Sequence, residues 1–493
     1  MCNGITLLVP PLEMMGRKKA PCDVVKLWQW IFDNVAYCEY AILSIDTLAY
    51  GNIINSRIHQ KSMSDIDKCL DNVKMIKRIN PSIKIHALNL VTRVAAYDSS
   101  DEDPDYWDVY GNRIWEYCRL THRIEEKIDL ERDNEDLIAL KKDIPEAYIS
   151  DFLARRKKNR YINLCAIDLV SANVIDYLVI PKDDCAEFGF ASMDHRAIVE
   201  KIFECGVQTR VLIYPGADEV GSVLFVRVFN HYHGIEPRVF LRYSSTNGPF
   251  CIPKYEDRQL HESVKYQITS AGGVIVNSEM ESDMLLAIHS PWATHTMEAA
   301  EQAAAPFAYK ANINIPEFVN YIGHYSHYYK KAYSIADVVY CNGADDTFMR
   351  YASLSGLFDK VCGYGGWNTS QNTIGVALAH GMLISYYGMF EDHSHERGRM
   401  LSIKFLLRKI VEDWMHQYKI TNYVYNNLDK FGIDDPYAIN DGEQRVTQEI
   451  SALMNEMIKE TFGETFHGKK LRVANLVLPW KRLFETDFDV IEV

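Results

Sequence analysis

The chain has 493 residues, 47% apolar and 24% charged, with 53 Lys and Arg against 67 Asp and Glu for a formal net charge of −14. This is the composition of a folded globular protein with ample material for a core, and it excludes a disordered, collagenous or small disulfide-stapled chain. The acidic balance points away from nucleic acid, because the densest basic run, Arg155-Arg156-Lys157-Lys158, reads as a solvated helix face.

The length allows two or three domains. Eleven cysteines, an odd number without a Cys-x-x-Cys pair, read as reduced thiols of a cytoplasmic protein. The apolar runs fall short of the roughly 18 residues of a membrane span, and no signal peptide opens the chain, so no membrane is expected. Residues 5–9 (Ile5-Thr6-Leu7-Leu8-Val9) read as a strand with almost nothing before it.

Eight β-branched runs follow in chain order, at 40–45, 83–90, 175–180, 210–214, 238–243, 283–288, 336–340 and 361–365, separated by helix-length segments. Segments 64–78 and 195–205 carry apolar residues at three- and four-residue spacing, as amphipathic helices do. The alternation predicts an α/β protein with a (β/α)8-barrel-like parallel sheet region over 1–380. Residues 98–150, rich in charge, read as a helical insertion over the barrel mouth. Strand signals fade after Gly381, and 381–493 reads as a helical C-terminal domain with strong helices at 401–418 and 446–461.

Parallel α/β sheets gather ligand sites at the carboxyl ends of their strands, so the residues that follow each run are the candidates. They are Asp46 and nearby Arg57; Asn89 and Arg93; Asp183-Asp184 with Glu187; Asp218-Glu219; Tyr243 with Ser244-Ser245; His289; Asn342 with Asp345; and Trp367-Asn368. Each Asp, Asn or Ser could equally cap the helix that follows it. The paired carboxylates are the chemically suggestive part, because crowding two acids raises one pKa and leaves the other charged. Asp183, Asp184, Asp218 and Glu219 are therefore the catalytic candidates. The reaction this suits is glycoside hydrolysis, including substrate-assisted hydrolysis in which the sugar's acetamido group is the nucleophile.

Two other readings stay open. The same carboxylates, Asp46, Asp183, Asp218 and Asp345, could ligate a hard cation in a metal-dependent hydrolase, or the chain could be a non-catalytic sugar-binding or regulatory protein. His231-Tyr232-His233 and His393-Ser394-His395 have metal-ligand spacing but read as surface histidines. Gly272-Gly273 and Gly363 with Gly365-Gly366 lack a phosphate-binding fingerprint. The expected partner is a small molecule or oligosaccharide, with no resident cofactor or metal.

Long strings of this chain resemble a bacterial family, domain-of-unknown-function family 4127. They include Leu43-Ser44-Ile45-Asp46 with Tyr50-Gly51 and Ser56-Arg57, Tyr97-Asp98-Ser99-Ser100 followed by Glu102, and Ile180-Pro181-Lys182-Asp183-Asp184. Further on come Tyr214-Pro215-Gly216-Ala217-Asp218-Glu219-Val220-Gly221, Arg242-Tyr243-Ser244-Ser245-Thr246 and Gly366-Trp367-Asn368-Thr369-Ser370. The resemblance implies no function, and it implies an opening strand ending in a Pro-Leu-Asp-x-Arg-Pro-like string that this chain does not show. A second, shorter likeness is to barrel hexosaminidases of the O-GlcNAcase and bacterial hyaluronidase type. It rests on the Asp183-Asp184 pair, the Asn342 to Asp345 segment, and Trp367-Asn368 opening an Ala-rich helix. It implies that Asp183 orients the acetamido group, that Asp184 donates the proton, and that Asn and Trp side chains hold the sugar.

Overall fold

A computed structural model of the chain describes residues 5–388, 396–439 and 442–493. They form two compact units: Leu7–Val228 with Tyr255–Asp257, and Phe229–Lys254 with Arg258–Val493, which also takes in Ile5 and Thr6.

In the first unit, strands β1 (Tyr40–Ser44), β2 (Lys84–Leu88), β3 (Tyr177–Lys182) and β4 (Val211–Pro215) form a parallel sheet in the order β1-β2-β3-β4. All six residues of β3 are buried, which is why it reads as one continuous apolar run: a parallel sheet is covered on both faces. Helix Met63–Ile79 starts at a capping box between Ser62 and Asp65 and buries Ile66, Cys69, Leu70, Val73 and Ile76 along one stripe. These pack with Ile85, Ala87, Leu178, Ile180 and Ile213 of the sheet. Each buried Ile or Leu contributes about 2 kcal/mol.

The segment between β2 and β3 holds helices Trp107–Glu125, Leu130–Asp143 and Glu146–Ser171, the last running well beyond residue 150. Trp107, Ile114, Tyr117, Phe152 and Phe190 form a smaller core of their own. The 26-residue helix Glu146–Ser171 buries two kinds of surface. Ile162, Ala166, Ile167 and Val170 enter the main core, whereas Arg155, Arg156, Asn159 and Asn163 are polar groups buried along the same helix. The expectation of a solvated basic face is corrected here: Arg155 and Arg156 are only 5% and 6% exposed. Their charges are tolerated because each guanidinium finds acceptors: His59 O and, on the same helix, Asp151 for Arg155, and Thr92 O and Asp194 for Arg156.

In the second unit, β5 (Arg238–Tyr243), β6 (Val274–Val276), β7 (Met284–His289), β9 (Ala332–Asp337) and β11 (Gly363–Gly365) form a parallel sheet in the order β11-β9-β7-β5-β6, and the two-residue strands β8 (Met297–Glu298) and β10 (Tyr340–Cys341) pair with each other. Helix Ser370–Tyr387 crosses this sheet closely. A Cβ at Gly381 would collide with Ser334 Oγ on β9, so that crossing needs glycine. The C-terminal part is helical over Glu396–Ile410 and Glu443–Phe462, with a π-helical stretch at Val411–Ile420, and it ends in an antiparallel hairpin, β12 (Leu471–Val477) and β13 (Asp487–Glu492).

All eight strands expected from the sequence occur, within a few residues of their expected bounds. The pairings among the described residues join them into two sheets, and closure into one barrel is not shown. Residues 5–9 form no strand, and Leu7, Leu8 and Val9 are exposed: β propensity without a partner strand makes no ladder.

Candidate functional site

The carboxyl ends of β1 to β4 bring together Asp46, Asn89, Asp183, Asp184 and Asp218, with Arg57 and Arg93 supplied by adjoining segments. β3 ends at Lys182, whose buried ammonium is bonded to Asp257 and lies 3.4 Å from His195 Nδ1. The chain then turns. The Asp183 N–H donates to Val91 O, the Cys185 N–H donates to Tyr255 O, and Asp184 between them takes a left-handed φ of 29°. That conformation is costly for a residue with a Cβ and is held by the bonds on either side.

Two arginines sort the acids. Arg57, on the short helix Asn55–Ile58, donates from Nη2 to Asp183 Oδ2 at 2.7 Å and from Nη1 to Glu102 Oε2 at 2.9 Å. Arg93, just beyond β2, donates from Nη1 to Asp184 Oδ2 at 3.0 Å and from Nη2 to Asp103 Oδ2 at 3.0 Å, with Glu102 and the Tyr97 hydroxyl beside it. Charge-assisted bonds of this kind are short and directional, and they fix the positions of both carboxylates.

The two neighbours differ in environment. Burial and the charge of Asp183 push Asp184 up to about 6 against the pull of Arg93 and Arg57, although its side chain keeps 28% of its surface open. Asp218 is pushed up to about 6 by burial and by Asp183 and Asp184. It follows Gly216, where φ is 139° and a Cβ would collide with Glu219 Oε1, so this turn also requires glycine. Glu219 is fully buried and accepts from the Ala217 N–H at 3.0 Å, bracing the turn that carries Asp218.

Asp46 is occupied in a different way. It accepts from Asn89 Nδ2 at 3.0 Å and from the Leu90 N–H at 2.9 Å, tying the ends of β1 and β2 together, and burial pushes it up to about 7. Asn89 in turn accepts from Asn163 Nδ2 at 2.7 Å. Glu187 is exposed in the loop after Asp184.

The remaining candidates belong to the second unit. His289, at the end of β7, has Nδ1 2.9 Å from Ser244 Oγ and Nε2 3.1 Å from Asp345 Oδ2, and both His289 and Asp345 are fully buried. Asp345 also caps helix Asp346–Leu354, accepting from the Thr347 N–H, while its own N–H donates to Asp337 Oδ2 at 2.8 Å. Burial raises Asp337 to about 7. The same burial acts upward on Asp345, but the bond and charge of His289 outweigh it and hold Asp345 below the ordinary range.

The Tyr243 hydroxyl lies 3.0 Å from His261 Nδ1, and Asn342 donates to Glu298 Oε2 at 2.9 Å. Trp367 packs on Phe484 with its ring centroid 5.5 Å away, and Asn368 accepts from the Thr369 N–H. His231 and His233 lie on helix Val220–His233, and His393 and His395 lie outside the described residues. Among the described residues, no group of three or more His, Cys, Asp or Glu is disposed to hold a metal ion.

Glu102, Asp103 and Tyr97 were not among the sequence candidates, nor were Arg155, Arg156 and the Lys182–Asp257 pair. One signal was available for the arginines: with Phe152 and Asn159 they share the helical phase of the buried residues Ile162 and Ala166. A family model described as "Protein of unknown function (DUF4127)" matches residues 1–489 of the chain. No curated protein and no solved structure matches it, so the likeness to barrel hexosaminidases gains no support from these comparisons.

Proposed function

The chain belongs to the DUF4127 family, and for this member we propose a carboxylate-dependent hydrolase, acting on glycosides of the N-acetylhexosaminide type. The observation that carries the proposal is the pairing of an arginine-bound carboxylate, Asp183, with a neighbour whose pKa is pushed up to about 6 and which is still open to solvent. An acid and a charged group side by side are what glycoside cleavage requires.

In this reading Asp184 gives its proton to the leaving oxygen and takes one back from water. Asp183, anchored by Arg57, orients the group that attacks the anomeric carbon. Asp218, pushed up to about 6, supplies a second protonated carboxyl for a sugar hydroxyl below that pH. The reading rests on the residues of the first unit alone. The barrel-like closure of the strand region and a cytoplasmic oligosaccharide substrate are further parts of the same proposal. The acid pair itself needs only the carboxyl edge of parallel strands, where α/β sites lie.

The test is hydrolysis of a panel of aryl N-acetylhexosaminides by the purified chain and by Asp184→Asn. General acid catalysis is worth about 10²- to 10⁴-fold, so the variant should lose activity by that factor. Unchanged turnover in the variant, or no turnover by the parent chain across the panel, ends the proposal. Turnover should also fall as pH rises through about 6, where Asp184 loses the proton it donates; a pH profile flat from 5 to 8 would contradict the assignment.

A further inference from the structure

The two arginines of the acid pair are joined to each other through a third carboxylate. Glu102 Oε2 accepts from Arg57 Nη1 at 2.9 Å and from Arg93 Nη2 at 3.3 Å, so one oxygen serves both guanidiniums. A second nitrogen of each arginine holds the pair, Arg57 Nη2 on Asp183 Oδ2 and Arg93 Nη1 on Asp184 Oδ2. The bonds run from Asp183 through Arg57, Glu102 and Arg93 to Asp184, and the peptide between the two aspartates closes the ring. Asp103, next to Glu102, braces it with a further bond from Arg93.

Charge matters here as much as geometry. Around Asp184, Arg57 and Arg93 bring two positive charges, and Asp183, Glu102 and Asp103 bring three negative ones, on side chains no more than 16% exposed, where salt screens little. Two against three leaves one negative charge in excess, and an excess of that sign favours the protonated carboxyl. Taking away the charge of Glu102 balances the two signs and lets the arginines pull harder on Asp184. The other groups that face the pair are Asp218 after β4 and Asp46 after β1, both pushed up by burial, and Tyr97, whose hydroxyl is bonded to Arg93.

We propose that Glu102 is the positioning residue of the acid pair: shared between Arg57 and Arg93, its carboxylate holds each guanidinium on its own aspartate and offsets their charge, so that Asp184 keeps the proton it donates. As a statement about hydrolysis this rests on the hydrolase reading; as a statement about the Asp184 carboxyl it does not.

The test is the titration of the Asp184 carboxyl in Glu102→Gln, followed by carbon NMR of the full chain labelled at its aspartate carboxyl carbons, with the Asp184 signal assigned by its loss in Asp184→Asn. Glutamine keeps the shape and an accepting oxygen but not the charge. The midpoint should fall by about one pH unit from about 6. At pH 6 the protonated fraction then drops from about one half to about one eleventh, so kcat should fall about fivefold with KM unchanged. A residue that only steadied the fold would lower the amount of folded protein and leave the midpoint in place. Glu102→Asp keeps the charge but is one carbon shorter and loses one of the two guanidiniums, so the midpoint should fall by less.

An unchanged midpoint in Glu102→Gln overturns the proposal; should that variant fail to fold, an unchanged midpoint in Glu102→Asp does so. The two readings part cleanly. A midpoint that falls in a chain that hydrolyses nothing removes the hydrolase and leaves the role of Glu102, whereas hydrolysis lost in Asp184→Asn with the midpoint unmoved by Glu102→Gln does the reverse.

Discussion

Both units end their parallel strands in acids, yet the two clusters are different objects. In the first unit Asp183 and Asp184 meet arginines from other segments and keep partial access to solvent. In the second, His289, Asp345 and Asp337 are sealed at 0% exposure, and their charges and hydrogen bonds close on one another and on Ser244. A polar strand end is thus a site only where its bonds leave something over. A saturated and sealed cluster holds loops together.

The comparison breaks most visibly at the arginine. Replacing Arg57 by Leu strands Asp183 and Glu102 without their cation, and a broken buried pair costs about 3 to 5 kcal/mol. Denaturant unfolding at pH 7 should show that loss, and a variant as stable as the parent would mean the pair is not structural. His289→Leu is expected to cost less, about 2 kcal/mol, from the orphaned Asp345 carboxylate and Ser244 hydroxyl. It should leave hydrolysis per folded molecule intact. A parallel loss of turnover would erase the distinction drawn between the clusters.

The third effect is a slope. Asp46 binds its proton more tightly in the folded protein, about 7, than in the unfolded chain, about 3.9. Its contribution to stability is therefore complete below pH 4 and is lost as pH rises to 7, at no more than about 1.4 kcal/mol per pH unit. Asp46→Asn removes that titration. The stability of the parent chain relative to the variant should decline between pH 4 and 7, and a difference that is constant over this range would show that Asp46 is not protonated in the fold.

The parallel strands were legible because strands buried on both faces are continuous apolar runs, β3 and β7 above all, whereas β9, with Ser334 and Asp337 in it, was expected only at 336–340. The hairpin was not. Its strands are half-exposed and β12 is broken by a bulge between Ala474 and Val477, which blurs the alternation that would betray it. Residues 5–9 show the opposite error, since propensity was present and the partner was not. At the site, Asp183 and Asp184 stood out by adjacency, but nothing local shows that β4 and β5 belong to different sheets, so one list of strand ends divides between two units. Arg155 and Arg156 were misjudged because what makes their burial tolerable lies far along the chain, at His59 O and Thr92 O, 96 and 64 residues away.

The bond between Lys182 and Asp257 bears on how this protein can be divided. The first unit is not one continuous stretch, since Tyr255–Asp257 belong to it while the residues on either side belong to the other. A gene fragment cut after Val228 would carry the whole four-stranded sheet and every acid of the pair. It would lack the carboxylate bonded to a fully buried ammonium one residue from Asp183, and the Tyr255 carbonyl that fixes Cys185. The unit is therefore not a portable module, and a graft onto another protein would have to bring three residues from beyond its own boundary.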